Sequence, residues 1–245
     1  LYLLIVTLRQ KFLAILLASS ASIAAAQSAD DAIRAKDAEW MSYRDAYKSM
    51  LWFEKFGKAK NLIQWHLQVF PKDKNISIES LRLHILSKST HLDLSLDPIG
   101  RASLPLLKAA YDENAELVLN QKAGQAGFRF RTSINLRADG IYEIADLRTA
   151  CEQTLAFQSY MGMTTGTGRK CIGVRFAFAK KDQAAQIEIR QTNQAVQTLT
   201  ITDNTAVWSE TASNLKTGNY LFANASDKGQ IITRTTPLVV IALIE

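Results

Sequence analysis

Histidine is the side chain best suited to acid–base work and metal ligation near neutral pH. The chain has three: His66, His84 and His91. Each alternates with apolar neighbours, as His66 does with Trp65 and Leu67, so each is expected on the polar side of a strand. Converging on one sheet face, the three could hold zinc, with Asp93 adding a carboxylate. No two are spaced His-x-His or His-x-x-x-His, so convergence depends on strand order, and they read as surface histidines with no metal site assigned. No cofactor is called for.

Nucleophiles are scarce. There is no Gly-x-Ser-x-Gly elbow and no Ser-x-x-Lys in a persuasive setting. The carboxylates Asp93, Asp97, Asp112 and Glu113 sit near strand ends and turns, and they read as solvated loop acids rather than a glycosidase pair. No catalytic residue is therefore assigned. Arginines carry more. Arg129, Arg131 and Arg137 share parity along a stretch whose other side bears Phe128 and Phe130, and Arg175 has the outward parity of a later strand. Guanidiniums gathered on one face grip carboxylate or phosphate bidentately, which makes these four a candidate anion-binding face. The loop Thr164-Thr165-Gly166-Thr167-Gly168-Arg169 lacks the flanks and the Lys-Ser/Thr ending of a phosphate loop and reads as a connection.

The elements that must position these groups follow from periodicity. Trp40, Tyr43, Tyr47, Met50 and Leu51 predict a helix over about 38–56, with Asp37 as N-cap and Gly57 as stop. Ile144, Leu147, Cys151 and Leu155 predict a second over about 142–158. Period-two alternation predicts strands around Ile63–Val69, Leu81–Ile85, Leu92–Leu96, Ala115–Leu119, Phe128–Leu136 and Cys171–Phe178. Lys180–Gln183 reads as a hairpin turn into Ile187 and Ile189. Short strands follow at 196–201, 206–208, 220–223, 231–234 and 238–244. The expected class is α+β, a mainly antiparallel sheet or sandwich covered by two helices.

The amino terminus gives an address. Arg9 and Lys11 precede the apolar run Phe12–Ala18, which passes into small residues ending Ala24-Ala25-Ala26. This is the grammar of a secretory signal peptide cleaved near Ala26. The run is shorter than the roughly 20 residues that span a bilayer, so the mature protein is expected not to be an integral membrane protein. The formal charge of +6 loses Arg9 and Lys11 and becomes +4, a mild basic excess without basic runs, and no nucleic-acid module is visible. In an oxidising compartment Cys151 and Cys171, the only cysteines, are expected to pair as a disulfide between helix and strand. The organisation expected is signal peptide 1–26, polar leader 27–36, main domain 37–192, and a C-terminal strand region 193–245 packed on the same domain.

Three segments carry a resemblance: Ser42-Tyr43-Arg44-Asp45-Ala46-Tyr47, Leu94-Ser95-Leu96-Asp97-Pro98-Ile99-Gly100-Arg101 with Leu104-Pro105, and Tyr111-Asp112-Glu113-Asn114-Ala115-Glu116-Leu117. Over about 43–178 the chain resembles an uncharacterised family of periplasmic proteins of Gram-negative bacteria. The resemblance implies the compartment and no activity. The expected function is a non-enzymatic periplasmic binding or scaffold protein of the cell envelope, partnered by an envelope protein or an anionic envelope component. The alternative is a small hydrolase acting on envelope material through His66, His84 or His91 with a nearby acid. A third possibility is an assembly partner offering Leu238–Ile244 as a free sheet edge.

Overall fold

The structure is a computed structural model and describes residues 37–163, 168–191, 195–208, 215–222 and 228–245. The signal segment 1–26, the leader 27–36, residues 164–167 of the glycine-containing loop and residues 192–194 at the expected boundary lie outside the described residues. Residues Glu39–Glu245 form one compact unit. In chain order the elements open with β1 (Ala38–Ser42), α1 (Tyr43–Lys55), β2 (Ile63–Pro71), β3 (Leu83–Leu86) and β4 (His91–Leu94). Next come β5 (Arg101–Ala102), α2 (Lys108–Asp112), β6 (Glu116–Lys122), β7 (Ala126–Ile134), β8 (Ile141–Glu143) and α3 (Ile144–Tyr160). Then follow β9 (Cys171–Phe178), β10 (Ile187–Arg190), β11 (Gln197–Thr198), β12 (Thr202–Thr205), β13 (Leu215–Leu221), β14 (Gln230–Thr233) and β15 (Val239–Ile244).

The fold is α+β, and the described residues form three sheets. The largest has seven strands in the order β12-β13-β9-β15-β7-β2-β5, and two four-stranded sheets run β1-β6-β3-β4 and β11-β10-β14-β8. Antiparallel pairing dominates, led by β2 with β7, where nine residues pair from Ile63↔Ile134 to Pro71↔Ala126. The alternation in β2 sends Trp65, Leu67 and Val69 to one side. Leu67 and Val69 pack with Leu83, Ile85, Leu117 and Leu119 of the β1-β6-β3-β4 sheet and with Tyr43 and Ala46 of α1. Trp65 joins Val174, Phe176, Phe178 and Val240 of the same large sheet, Leu147 and Phe157 of α3, and Ile187 and Ile231 of the second small sheet. One face of the large sheet is thus covered along its length by helices and small sheets, which leaves the other face free to be different.

Helix α1 starts five residues later than its periodicity suggests, because residues 38–42 are extended and form β1. Ser42, not Asp37, is the N-cap, accepting the Asp45 N–H at 3.3 Å. The Lys60 ammonium donates to the carbonyls of Phe53 and Glu54 at the helix end, and Phe56 is already extended, so the helix stops before Gly57. Trp40 therefore lies on a strand and is exposed. Helix α3 buries Ile144, Leu147, Ala150, Cys151, Thr154 and Phe157, a stripe that follows the true 3.6-residue turn and leaves Leu155 half-buried.

Cys151 and Cys171 form a disulfide that joins α3 to the first residue of β9, with Cα atoms 5.9 Å apart. The turn at 180–183 does not close a hairpin. Asp182 accepts from Thr235 Oγ1 at 2.6 Å, its carbonyl accepts Lys216 Nζ at 2.9 Å, and the chain leaves β9 for a different sheet, where β10 pairs with β14 and β11. The stretch 206–208 is a bend rather than a strand, and β12 precedes it. The strand β15 lies between β9 and β7, inside the seven-stranded sheet, so Leu238–Ile244 offers no free edge. Among the described residues no helix is long and apolar enough to cross a membrane.

Candidate functional site

The second face of the large sheet carries a small apolar cluster, Ala177, Val239 and Ile241 with Ile99 and Val207, and beside it the polar residues that the alternation of β2 and β7 puts there. Register sets His66 opposite Arg131 and Gln68 opposite both Arg129 and Arg101. Across the sheet Ile241 pairs with Arg175, and Arg175 in turn with Asn219. Strand parity therefore places Arg129, Arg131 and Arg175 on one face, joined there by Arg101. Arg137 is not among them. The strand ends at Ile134, so parity no longer governs residue 137, and its guanidinium bonds the Asp139 carboxylate at 3.0 Å in the following turn.

Arg101 is held by the turn before it. Asp97 Oδ1 accepts the backbone N–H groups of Ile99 (3.0 Å) and Arg101 (2.8 Å), and Oδ2 pairs with Arg101 Nε at 2.6 Å. Gly100 has φ +80°, and a Cβ there would stand 2.1 Å from the Val69 carbonyl oxygen, so only glycine fits. Arg101 also donates to the Leu238 carbonyl at 2.7 Å. Gln68 links the turn to the next strand, donating to the Ile99 carbonyl at 2.9 Å and accepting from Arg131 Nε at 3.2 Å. Arg131 stacks over the Trp208 ring at 5.0 Å. Arg175 is spent on structure: it donates to Asn219 Oδ1 at 2.9 Å and to the Ala206 carbonyl at 3.2 Å, fixing the bend that carries Trp208. Arg129 is exposed, 5.9 Å from the Phe70 ring centre.

Beneath these cations lies His66, only 7% exposed, and no described residue hydrogen-bonds either of its ring nitrogens. Burial first, then the positive charges of Arg101 and Arg131, lower its pKa from 6.5 to about 3, so the imidazole is neutral at any ordinary pH. An orphaned buried polar group costs about 1–3 kcal/mol. The unfolded chain takes up a proton below pH 6.5 that the folded protein refuses down to about 3, so acid removes stability through this residue. His66→Leu is expected to raise stability at pH 7 and to remove about 2 kcal/mol of the loss between pH 7 and pH 5, at roughly 1.4 kcal/mol per pH unit. Urea midpoints of both proteins at the two pH values check this. Parallel pH slopes for both would contradict the burial account.

The other two histidines meet elsewhere. His84 pairs with Asp93 across β3 and β4, and His91 pairs with Leu86. His91 precedes Asp93 by two residues and so shares its face. His84 Nδ1 stands 2.6 Å from Asp93 Oδ1, and His91 Nε2 stands 3.9 Å from the same oxygen. Glu113 fastens the turn of this hairpin. Its carboxylate accepts from Ser87 Oγ (2.7 Å), Ser89 Oγ (2.7 Å) and the Ser89 N–H (2.9 Å), and these bonds hold its pKa below the usual carboxylate value. Asp112 pairs with Lys108 at 2.8 Å. Sequence spacing could not show the His84–His91–Asp93 convergence, because it is made by strand pairing.

A cleft of about 1100 Å³ opens beside both places, with Leu81, Leu94, Leu96, Leu238, Lys180 and Lys181 in its walls. Asp93 and Asp97 border it too, so the wall of the cleft adjoins the Arg101 anchor. Arg101, Gln68 and Trp208 were invisible to periodicity. The only hint was an arginine directly after the Asp97–Gly100 turn. Fold and geometry together define an α+β protein of antiparallel sheets with a cationic sheet face over a buried neutral histidine. No known protein family matches the chain, and comparison with curated proteins and with solved structures finds no match.

Proposed function

We propose that this is a non-enzymatic binding protein of the bacterial cell envelope, exported to the periplasm, that takes an anionic envelope component on the sheet face of Arg129 and Arg131. The observation that carries the reading is His66: an imidazole kept neutral by burial and by the nearby Arg101 and Arg131 guanidiniums, with neither ring nitrogen bonded to a described residue. Perturbed ionisable groups flanked by specific charges concentrate at binding sites. Arg129 and Arg131, two residues apart on one strand, sit about 7 Å apart, within the span of a phosphate or carboxylate ligand. The disulfide is in keeping with that compartment.

The test pairs a soluble anion with a lipid headgroup. Inorganic phosphate is titrated against tryptophan fluorescence, for which Trp208 beside Arg131 is the reporter, and phosphatidylglycerol vesicles are assayed by co-sedimentation. Losing one charge-assisted hydrogen bond, about 1.5–3 kcal/mol, weakens binding roughly 10- to 100-fold, the effect expected of Arg131→Gln. Arg137→Gln, away from the face, is expected to leave binding unchanged. Binding of neither anion, or equal binding by wild type and Arg131→Gln, would overturn the proposal.

A further inference from the structure

We infer that His84, His91 and Asp93 form a binding site for a first-row divalent metal ion, with zinc as the fitting probe. The site is separate from the arginine face and does not depend on it. His84 Nδ1, His91 Nε2 and Asp93 Oδ1 all lie within 4.8 Å of one another on one face of the β3–β4 hairpin. Zinc bound by nitrogen and oxygen at about 2.0–2.2 Å needs tetrahedral ligand atoms roughly 3.3 Å apart. The His84–Asp93 pair is closer than that and the His91–Asp93 pair wider, so the three side chains must rotate to take up the ion.

The backbone supplies the preorganisation. His84 and Asp93 are direct cross-strand partners, and the turn between the strands is clamped by Glu113 through three hydrogen bonds. Strand β4 is the edge of its sheet, and polar side chains on a short edge strand guard against pairing with other chains. Edge protection does not require three donor atoms to point at one another. Side-chain exposures of 28%, 66% and 79% for His84, His91 and Asp93 leave the ion an open path from solvent. Two imidazoles and one carboxylate suit zinc, nickel or copper rather than calcium or magnesium, and a three-residue set leaves a fourth position for water.

Calorimetric titration of the full chain with zinc chloride is expected to show one equivalent bound. His91→Ala, at an exposed edge position, keeps the fold and is expected to weaken binding at least about tenfold, the scale on which even supporting residues act. The double variant His84→Ala/His91→Ala is expected to abolish uptake. Nitrogen-15 imidazole spectra supply an independent readout, in which zinc shifts His84 Nδ1 and His91 Nε2 and leaves His66 unmoved. Absence of stoichiometric uptake by wild type, or undiminished uptake by His91→Ala, overturns the site.

Discussion

Phe157→Ala is expected to cost about 3–5 kcal/mol and to lower the melting temperature by roughly 10 °C, as measured by scanning calorimetry. Phe157 is fully buried where α1, α3 and the large sheet meet. Its ring centre lies 5.0 Å from Phe53, 5.3 Å from Phe56 and 5.1 Å from Trp65, all at steep angles. Truncation removes the transfer energy of the ring and leaves a cavity that three rigid aromatic neighbours cannot collapse to fill. Trp52→Ala, on the exposed side of α1, is the natural control and should shift stability by less than about 0.5 kcal/mol. Equal effects of the two would mean that α3 does not carry the core.

The second large effect is covalent. Cys151→Ala/Cys171→Ala is expected to destabilise by about 3 kcal/mol, the chain-entropy value for a loop of this size. The sequence separation is 20 residues, and the bridge ties the buried face of α3 to the start of β9. A reduced urea midpoint is the expected signature, with a slope no smaller than that of wild type because the denatured chain without the bridge is more open. Treatment of wild type with reductant should reproduce it. A midpoint equal to that of the oxidised protein would show that the helix is held by packing alone.

How much of this fold and site is legible in the sequence depends on the range of the interaction. The alternation in Ile63–Val69, Phe128–Ile134 and Cys171–Phe178 and the buried stripe of α3 are local patterns, and they locate the elements well. Residues 38–42 have the pattern of a helix because Trp40 and Tyr43 stand three apart, a spacing equally available to the strand that runs into the helix here. Arg137 was misplaced because parity has meaning only while the strand lasts. Lys180–Gln183 looked like a hairpin turn, but Asp182 is tied to Thr235 and Lys216, distant residues that no local window includes. The site suffered most. Opposing His66 to Arg131, or His84 to Asp93, is a matter of register between strands, and register is set by the hydrophobic pattern of whole sheets. Hence the arginine parity was readable, the burial of His66 was not, and the meeting of His84 with His91 required the folded hairpin.

The place of β15 has a consequence for how the protein comes to be folded. Strand β15 sits between β9 and β7, and through β7 it joins the β2 side of the sheet to the β9–β13 side. Until residues 239–244 emerge, those two halves have nothing to pair through. Contacts between strands so far apart in sequence form slowly. A chain still being synthesised, or one cut ahead of Val239, therefore holds two unjoined half-sheets with open edges. Such an intermediate invites capture by holding chaperones and association with its own kind. Residues 239–244 act as the latch of the molecule.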